Sequence, residues 1–206
     1  MVERQLNGDF RLGSGVLELG QRALERFDIR EIAGPYMREL SRATGETIHL
    51  AVKGDDDVVY LDKVDSTYPM RMYSRVGIIA PLHCTGVAKA IMAFLNIEER
   101  ERLVSLATYE RFNEHTLTSV TALRDDLEQV RQRGYAIDDQ EHELGIHCIA
   151  APVLNADGSV AASISIATPI SRLDRKQLLE LVPLLCGAAR RASADLGYTP
   201  REASAS

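Results

Sequence analysis

Residues 134–169 read GYAIDDQEHELGIHCIAAPVLNADGSVAASISIATP, and no other stretch constrains the fold as tightly. Ile146–Leu154 and Val160–Ala167 are apolar and rich in β-branched residues, and Asn155-Ala156-Asp157-Gly158 between them supplies turn formers, so the pair reads as an antiparallel hairpin. Along the second run Ser163 and Ser165 alternate with Ile164 and Ile166. A period of two puts both hydroxyls on one face and both aliphatics on the other. The aliphatic face belongs to a core, while the hydroxyl face is either half-exposed sheet or the wall of a site. Because acidic residues, a histidine and a cysteine run directly into this hairpin, any ligand chemistry they perform takes place on a sheet.

The remaining pattern places helices around further strands. Val16, Leu19, Ala23 and Leu24 recur at helical spacing, and so do Ile32, Tyr36, Met37, Leu40 and Ala43, with Gly34-Pro35 marking where the second helix starts or bends. Glu46–Lys53 and Val58–Val64 form a second hairpin around the acidic turn Gly54-Asp55-Asp56-Asp57. Arg71–Val76 reads as a further strand whose long Arg71 and Tyr73 side chains could wall a pocket or simply pack on the sheet surface. A small-residue helix begins near Thr85 and Gly86, and Ile97–Ala107 forms a short helix with Glu98, Glu99 and Glu101 in its first turns. Ser119 caps a helix striped by Leu123, Leu127 and Val130 and closed by Gly134, after which Tyr135–Gln140 is a strand. Asp174 and Gln177 resemble a capping box for the last helix, which Pro183 should bend. The tail REASAS is polar and expected to be disordered. About six strands, mostly antiparallel, with helices before, between and after them, make an α+β arrangement.

At 206 residues and 45% hydrophobic composition, the chain suffices for one well-buried domain plus an appendage. No apolar run approaches the roughly 18 to 20 residues that span a bilayer, and MVERQLNGDF lacks the regions of a signal peptide, so a cytoplasmic location with no membrane partner is expected. Three cysteines without CxxC spacing suggest neither a disulfide framework nor a zinc knuckle. A net charge of −6 with scattered basic residues argues against this stretch gripping nucleic acid.

Asp138, Asp139, Glu141, His142, Glu143, His147 and Cys148 form the densest group of reactive side chains, and three readings compete for it. A metal could draw ligands from His83, Cys84, Asp138, His142, His147 and Cys148, although no HExxH or CxxC spacing is present. Cys84 or Cys148 could be a nucleophile with a histidine base, although no orienting group is evident. Finally, the helix start near Thr85 could hold a carboxylate on the free amides of Gly86 and Val87, with Asp138, Cys148 and Ser165 meeting the hydroxyls of the same acid. Gly86 is equally explained by close packing of that helix on the sheet.

LHCTGVAKAIMA, followed later by GYAIDDQEHELGIHCIAAPVLNADGSVAASISIATPISRL, closely resembles the effector-binding domain of IclR-type bacterial transcription regulators over residues 17–198. The resemblance implies a GAF-like domain, a central antiparallel sheet flanked by helices, covering residues 28–198. Residues 1–27 then resemble the end of a winged-helix wing, at Phe10-Arg11-Leu12, and a linker helix, with 199–206 a disordered tail. DNA would be contacted only through an N-terminal helix-turn-helix domain outside this chain, and the domain would form homodimers or homotetramers. It implies no catalysis, no cofactor and a small organic acid as effector, although some relatives hold a metal in the same pocket. The segment ETIHLAVKGDDDVVYLDKVDSTYPMRMYSRVG looks most like the branch that senses 2-keto-3-deoxygluconate. The family's pocket falls on Gly86, Val87, Asp138, Cys148 and Ser165, with Arg71 and Tyr73 as further wall positions. Its second strand serine is Ala167 here, a departure that puts the glyoxylate or pyruvate preference of other members in doubt.

Overall fold

The computed structural model describes residues 2–4, 10–12, 28–69 and 74–199. Its centre is a five-stranded antiparallel sheet in the order β4-β3-β7-β6-β5, formed by β3 (Thr47–Lys53), β4 (Val58–Val64), β5 (Ala136–Asp139), β6 (Ile146–Leu154) and β7 (Val160–Pro169). Both expected hairpins are present as β3–β4 and β6–β7, and β3 pairs with β7 to join them into one sheet. Separately, β1 (Val2–Arg4) pairs with β2 (Phe10–Leu12). The strand expected over Arg71–Val76 falls partly outside the described residues. Its described part, from Ser74, is irregular and then turns at Val76 and Gly77 before one bridge between Ile79 and Val59. The linker helix expected near Val16–Leu24 and the tail from residue 200 also lie outside the described residues.

Helices cover both faces of the sheet. On one face Ile48, Leu50, Ile149, Ala151, Ile164 and Ile166 pack against α1 (Asp28–Thr44), α5 (Arg175–Glu180) and α6 (Val182–Asp195). α1 presents Ile29, Ala33, Met37 and Leu40 to this core and runs through Pro35 rather than starting there. Across the sheet, Ala51, Ala136 and Ala150 meet α2 (Gly86–Met92), α3 (Ile97–Leu106) and α4 (Val120–Arg133). The hydroxyl-bearing face of β7 is therefore buried, with Ser163 and Ser165 only 0% and 1% exposed.

The caps explain several boundaries. The Ser119 hydroxyl accepts from the Ala122 amide, and Gly134 closes α4 in the left-handed region at φ 84°. Asp174 and Gln177 form the reciprocal capping box at α5. The expected bend at Pro183 is instead a break. Proline lacks an amide donor and is tolerated best in a first turn, so the chain ends α5 at Glu180 and starts α6 at Val182, with Pro183 inside its first turn.

Candidate functional site

The register of the sheet decides which polar groups meet. Asp138 pairs with Cys148, Cys148 with Ala167 and Ala167 with Thr47, so these four residues form one row across the α2 side of the sheet. The neighbouring row contains Ser165 beside His49 on one strand and Ala150 on the other. Above them α2 begins with Thr85, Gly86 and Val87. A cavity of about 260 Å³ lies between this helix start and the sheet, and Gly86, Val87, Asp138, Cys148 and Ser165 all line it. Its outer side is apolar, with Ile78, Ile79 and Phe112 at 43%, 56% and 41% exposure.

Gly86 is there for a steric reason. A Cβ at this position would sit 2.6 Å from Cys148 Sγ, so only glycine lets α2 pack this close to β6. Packing is thus visible directly, and it sets the depth of the cavity. No side chain caps the start of α2, because the Thr85 hydroxyl donates instead to the Pro81 carbonyl at 2.8 Å. Thr85 therefore leaves the first amides of α2 uncapped, although the Gly86 amide faces the Cys148 sulfur, and an anion placed there would meet donors at the positive end of the helix.

Asp138 is buried. Its Oδ1 accepts the Glu141 amide at 2.8 Å. Burial pushes its carboxyl up to about 7 and the Glu141 charge adds to that, while Lys89 and the amides of Glu141 and His142 pull it back. Lys89 is fully buried on α2, with Nζ donating to both Glu141 oxygens at 2.6 and 2.7 Å and ion-paired to Asp126 at 2.9 Å. Burial works against its charge, but the two carboxylates hold the ammonium above its ordinary value. Gln140, in the left-handed region at φ 66°, turns the chain so that Glu141 folds back onto Lys89.

Of the other sequence candidates, His142 and Glu143 line the same cavity, whereas the rest separate. His147 alternates with Cys148 on β6 and so lies on the opposite face of the sheet. His83 is buried, and its Nε2 meets the Glu110 carbonyl at 2.9 Å while its ring stacks on Phe112. Among the described residues no three His, Cys, Asp or Glu side chains are grouped to hold a metal ion. Burial pushes the thiols of Cys84 and Cys148 far up, so both stay protonated at neutral pH and neither is an activated nucleophile. Arg71 and Tyr73 lie outside the described residues. Several pocket residues escaped the sequence reading, among them His49, Tyr60 and Ser74. His49 and Tyr60 line the cavity, their rings 5.0 Å apart. The alternation of Thr47, His49 and Ala51 against Ile48, Leu50 and Val52 is the signal that could have placed His49 on the Ser165 face.

Residues 21–194 match the family model described as bacterial transcriptional regulator IclR C-terminal. The chain belongs to the IclR family of bacterial transcriptional regulators. It is 44% identical over 183 residues to the HTH-type transcriptional regulator KdgR of Escherichia coli strain K12, a match covering 89% of this chain and 70% of that protein. A 42% identical match to KdgR of Dickeya chrysanthemi covers 89% of this chain and 60% of that protein. The chain thus spans well under the full length of these relatives, which are regulators and not enzymes. Among solved structures, the C-terminal domain of E. coli KdgR superposes with a TM-score of 0.75 at 40% identity, covering 84% of this chain and all of that domain. An IclR homologue from Microbacterium hydrocarbonoxydans complexed with 4-hydroxybenzoate superposes at 0.79 with 27% identity, covering 95% and 79%. The effector-binding fold of this IclR-family chain is therefore shared with both. Among its described residues no helix is long and apolar enough to cross a membrane.

Proposed function

We propose that the cavity beneath α2 binds a small keto or sugar acid, such as 2-keto-3-deoxygluconate, and that this occupancy controls transcription of carbohydrate catabolism genes. One observation carries the reading: residues from α2, β5, β6 and β7 that are far apart in sequence line a single cavity of about 260 Å³. The acid's carboxylate is placed against the Gly86 and Val87 amides, and Asp138, Cys148 and Ser165 face its keto or hydroxyl groups. That a homologue of the same fold was solved in complex with 4-hydroxybenzoate, a small organic acid, supports the reading. Residues 1–27 would lead from a DNA-reading helix-turn-helix domain, and the chain would act as a homodimer or homotetramer in a cytoplasmic regulator. The ligand shifts DNA binding only by binding one arrangement of the sensor better than another. Isothermal titration of 2-keto-3-deoxygluconate into the wild-type chain and Asp138→Ala tests the assignment. At least a tenfold weaker affinity is expected for the variant; equal affinities remove Asp138 from the pocket.

A further inference from the structure

We infer that His49, bridging Ser165 on β7 and Ser74 on the segment that follows residues 70–73, is the specificity-determining residue that makes this pocket favour hydroxylated sugar acids over short 2-oxo acids. The inference rests on the acid-binding reading above and adds to it the residue that selects among acids. Its basis is geometric. His49 is 3% exposed and lines the cavity, and both ring nitrogens face serine hydroxyls, Nδ1 at 3.3 Å from Ser165 Oγ and Nε2 at 2.6 Å from Ser74 Oγ. All three side chains belong to the cavity wall. Three separate segments thus bring two hydroxyls and an imidazole to one end of the pocket, an expensive arrangement for a surface that reads nothing polar.

The position within the sheet says which part of a ligand this group reads. Asp138 and Cys148 share the row that ends at Ala167 and Thr47, whereas Ser165 and His49 form the next row along the strands. Ser165 lies two strands across from Asp138 and two residues further along, so their Cα atoms are roughly 10 Å apart or more. A two- or three-carbon acid held between the α2 start, Asp138 and Ser165 has no further hydroxyls to offer the His49 and Ser74 end of the wall. A six-carbon chain reaches it and arrives there with its hydroxyls. Ala167, which stands between these stations without a hydroxyl, leaves room for the carbon chain to pass.

A neutral imidazole suits this task because it donates from one nitrogen and accepts at the other. With Nε2–H donating to Ser74, Nδ1 accepts from Ser165 and leaves that hydroxyl's lone pairs for a ligand O–H. In the other tautomer Ser165 is free to donate. Burial and the nearby Lys63 hold the His49 ring far down, at about 3, so it stays neutral throughout the physiological range. The tail of a polyol, whose hydroxyls both donate and accept, matches either state.

The test compares 2-keto-3-deoxygluconate with pyruvate, which carries the same 2-oxo acid head without the hydroxylated tail. Calorimetry on the 206-residue chain should show His49→Phe losing at least tenfold in affinity for the sugar acid, with pyruvate affinity changed less than twofold. Ser74→Ala, which removes one partner from a half-exposed position, should lower the ratio of the two affinities at least threefold and decides the matter if His49→Phe does not fold. An unchanged ratio in the folded variants overturns the role of His49. A wild-type chain that binds neither acid overturns instead the acid-binding reading on which it rests.

Discussion

Asp138 is the residue at which burial and the proposed binding meet most directly. Its folded value of about 7 lies above the ordinary aspartate value near 4, so between those two pH values the folded chain holds a proton that the unfolded chain has lost. The stability this gives is fully present below pH 4 and is lost as pH rises through 7. The raised value corresponds to at most ~4 kcal/mol. Asp138→Asn keeps an oxygen for the Glu141 amide and removes the titration. Denaturant unfolding should therefore find the variant more stable than wild type at pH 8, with the difference shrinking steadily toward pH 5. A constant difference would show that Asp138 titrates normally. At this scale the sequence was only partly legible. Asp138, Cys148 and Ser165 stand out because they interrupt apolar or turn patterns, whereas Tyr60 hides in a β-branched run where an aromatic is ordinary sheet filling. Lys89 left a clear mark, a charge within the small apolar helix, but only the fold reveals that Glu141 and Asp126 come from elsewhere to meet it.

The elements were easier to read than the contacts between them. Both hairpins follow from period-two alternation between turn formers, and α4 follows from its stripe and two caps. From Ser74 onward the strand expected over Arg71–Val76 is irregular instead, because alternation alone does not supply a neighbouring strand edge, and at Pro183 the sequence permits either a bend or a fresh start. The seat of α2 on β6 is a contact no periodicity encodes. Gly86→Ala would drive a methyl into Cys148 Sγ, and overpacking of this kind costs typically 1–3 kcal/mol. Because the obstructing atom is one sulfur, Cys148→Ala should relieve the clash, and Ala150 Cβ at 3.5 Å is already an ordinary contact. Unfolding of both single variants and the double variant should give a favourable coupling of about 1 kcal/mol or more. Simple additivity would place the obstruction elsewhere. The same helix is fastened by Lys89, and Lys89→Met should cost ~3–5 kcal/mol because it leaves Glu141 and Asp126 without their shared buried cation.

Taken whole, the molecule is a sheet with two unequal coverings. The side under α1, α5 and α6 is aliphatic across its centre, while the side under α2 mixes alanines with buried serines, a histidine and an aspartate around the cavity. Both faces thus contribute core, and the proposed recognition falls to the α2 side, which keeps the cavity. A ligand that fits there adds contacts and hydrogen bonds that the empty folded chain lacks and the unfolded chain cannot make. By mass action, 2-keto-3-deoxygluconate at a hundred times its dissociation constant should stabilise the chain by about 2.7 kcal/mol. For a domain of this size each kilocalorie raises the melting temperature by roughly 2–4 °C, so a rise of roughly 5–10 °C is expected in a thermal scan. The rise should continue with the logarithm of concentration and shrink in Asp138→Ala at the same concentration, since that variant removes a wall of the cavity without touching the aliphatic face. A shift that is equal in both proteins would locate the binding away from this cavity, because only a site containing Asp138 links its loss to the ligand's effect.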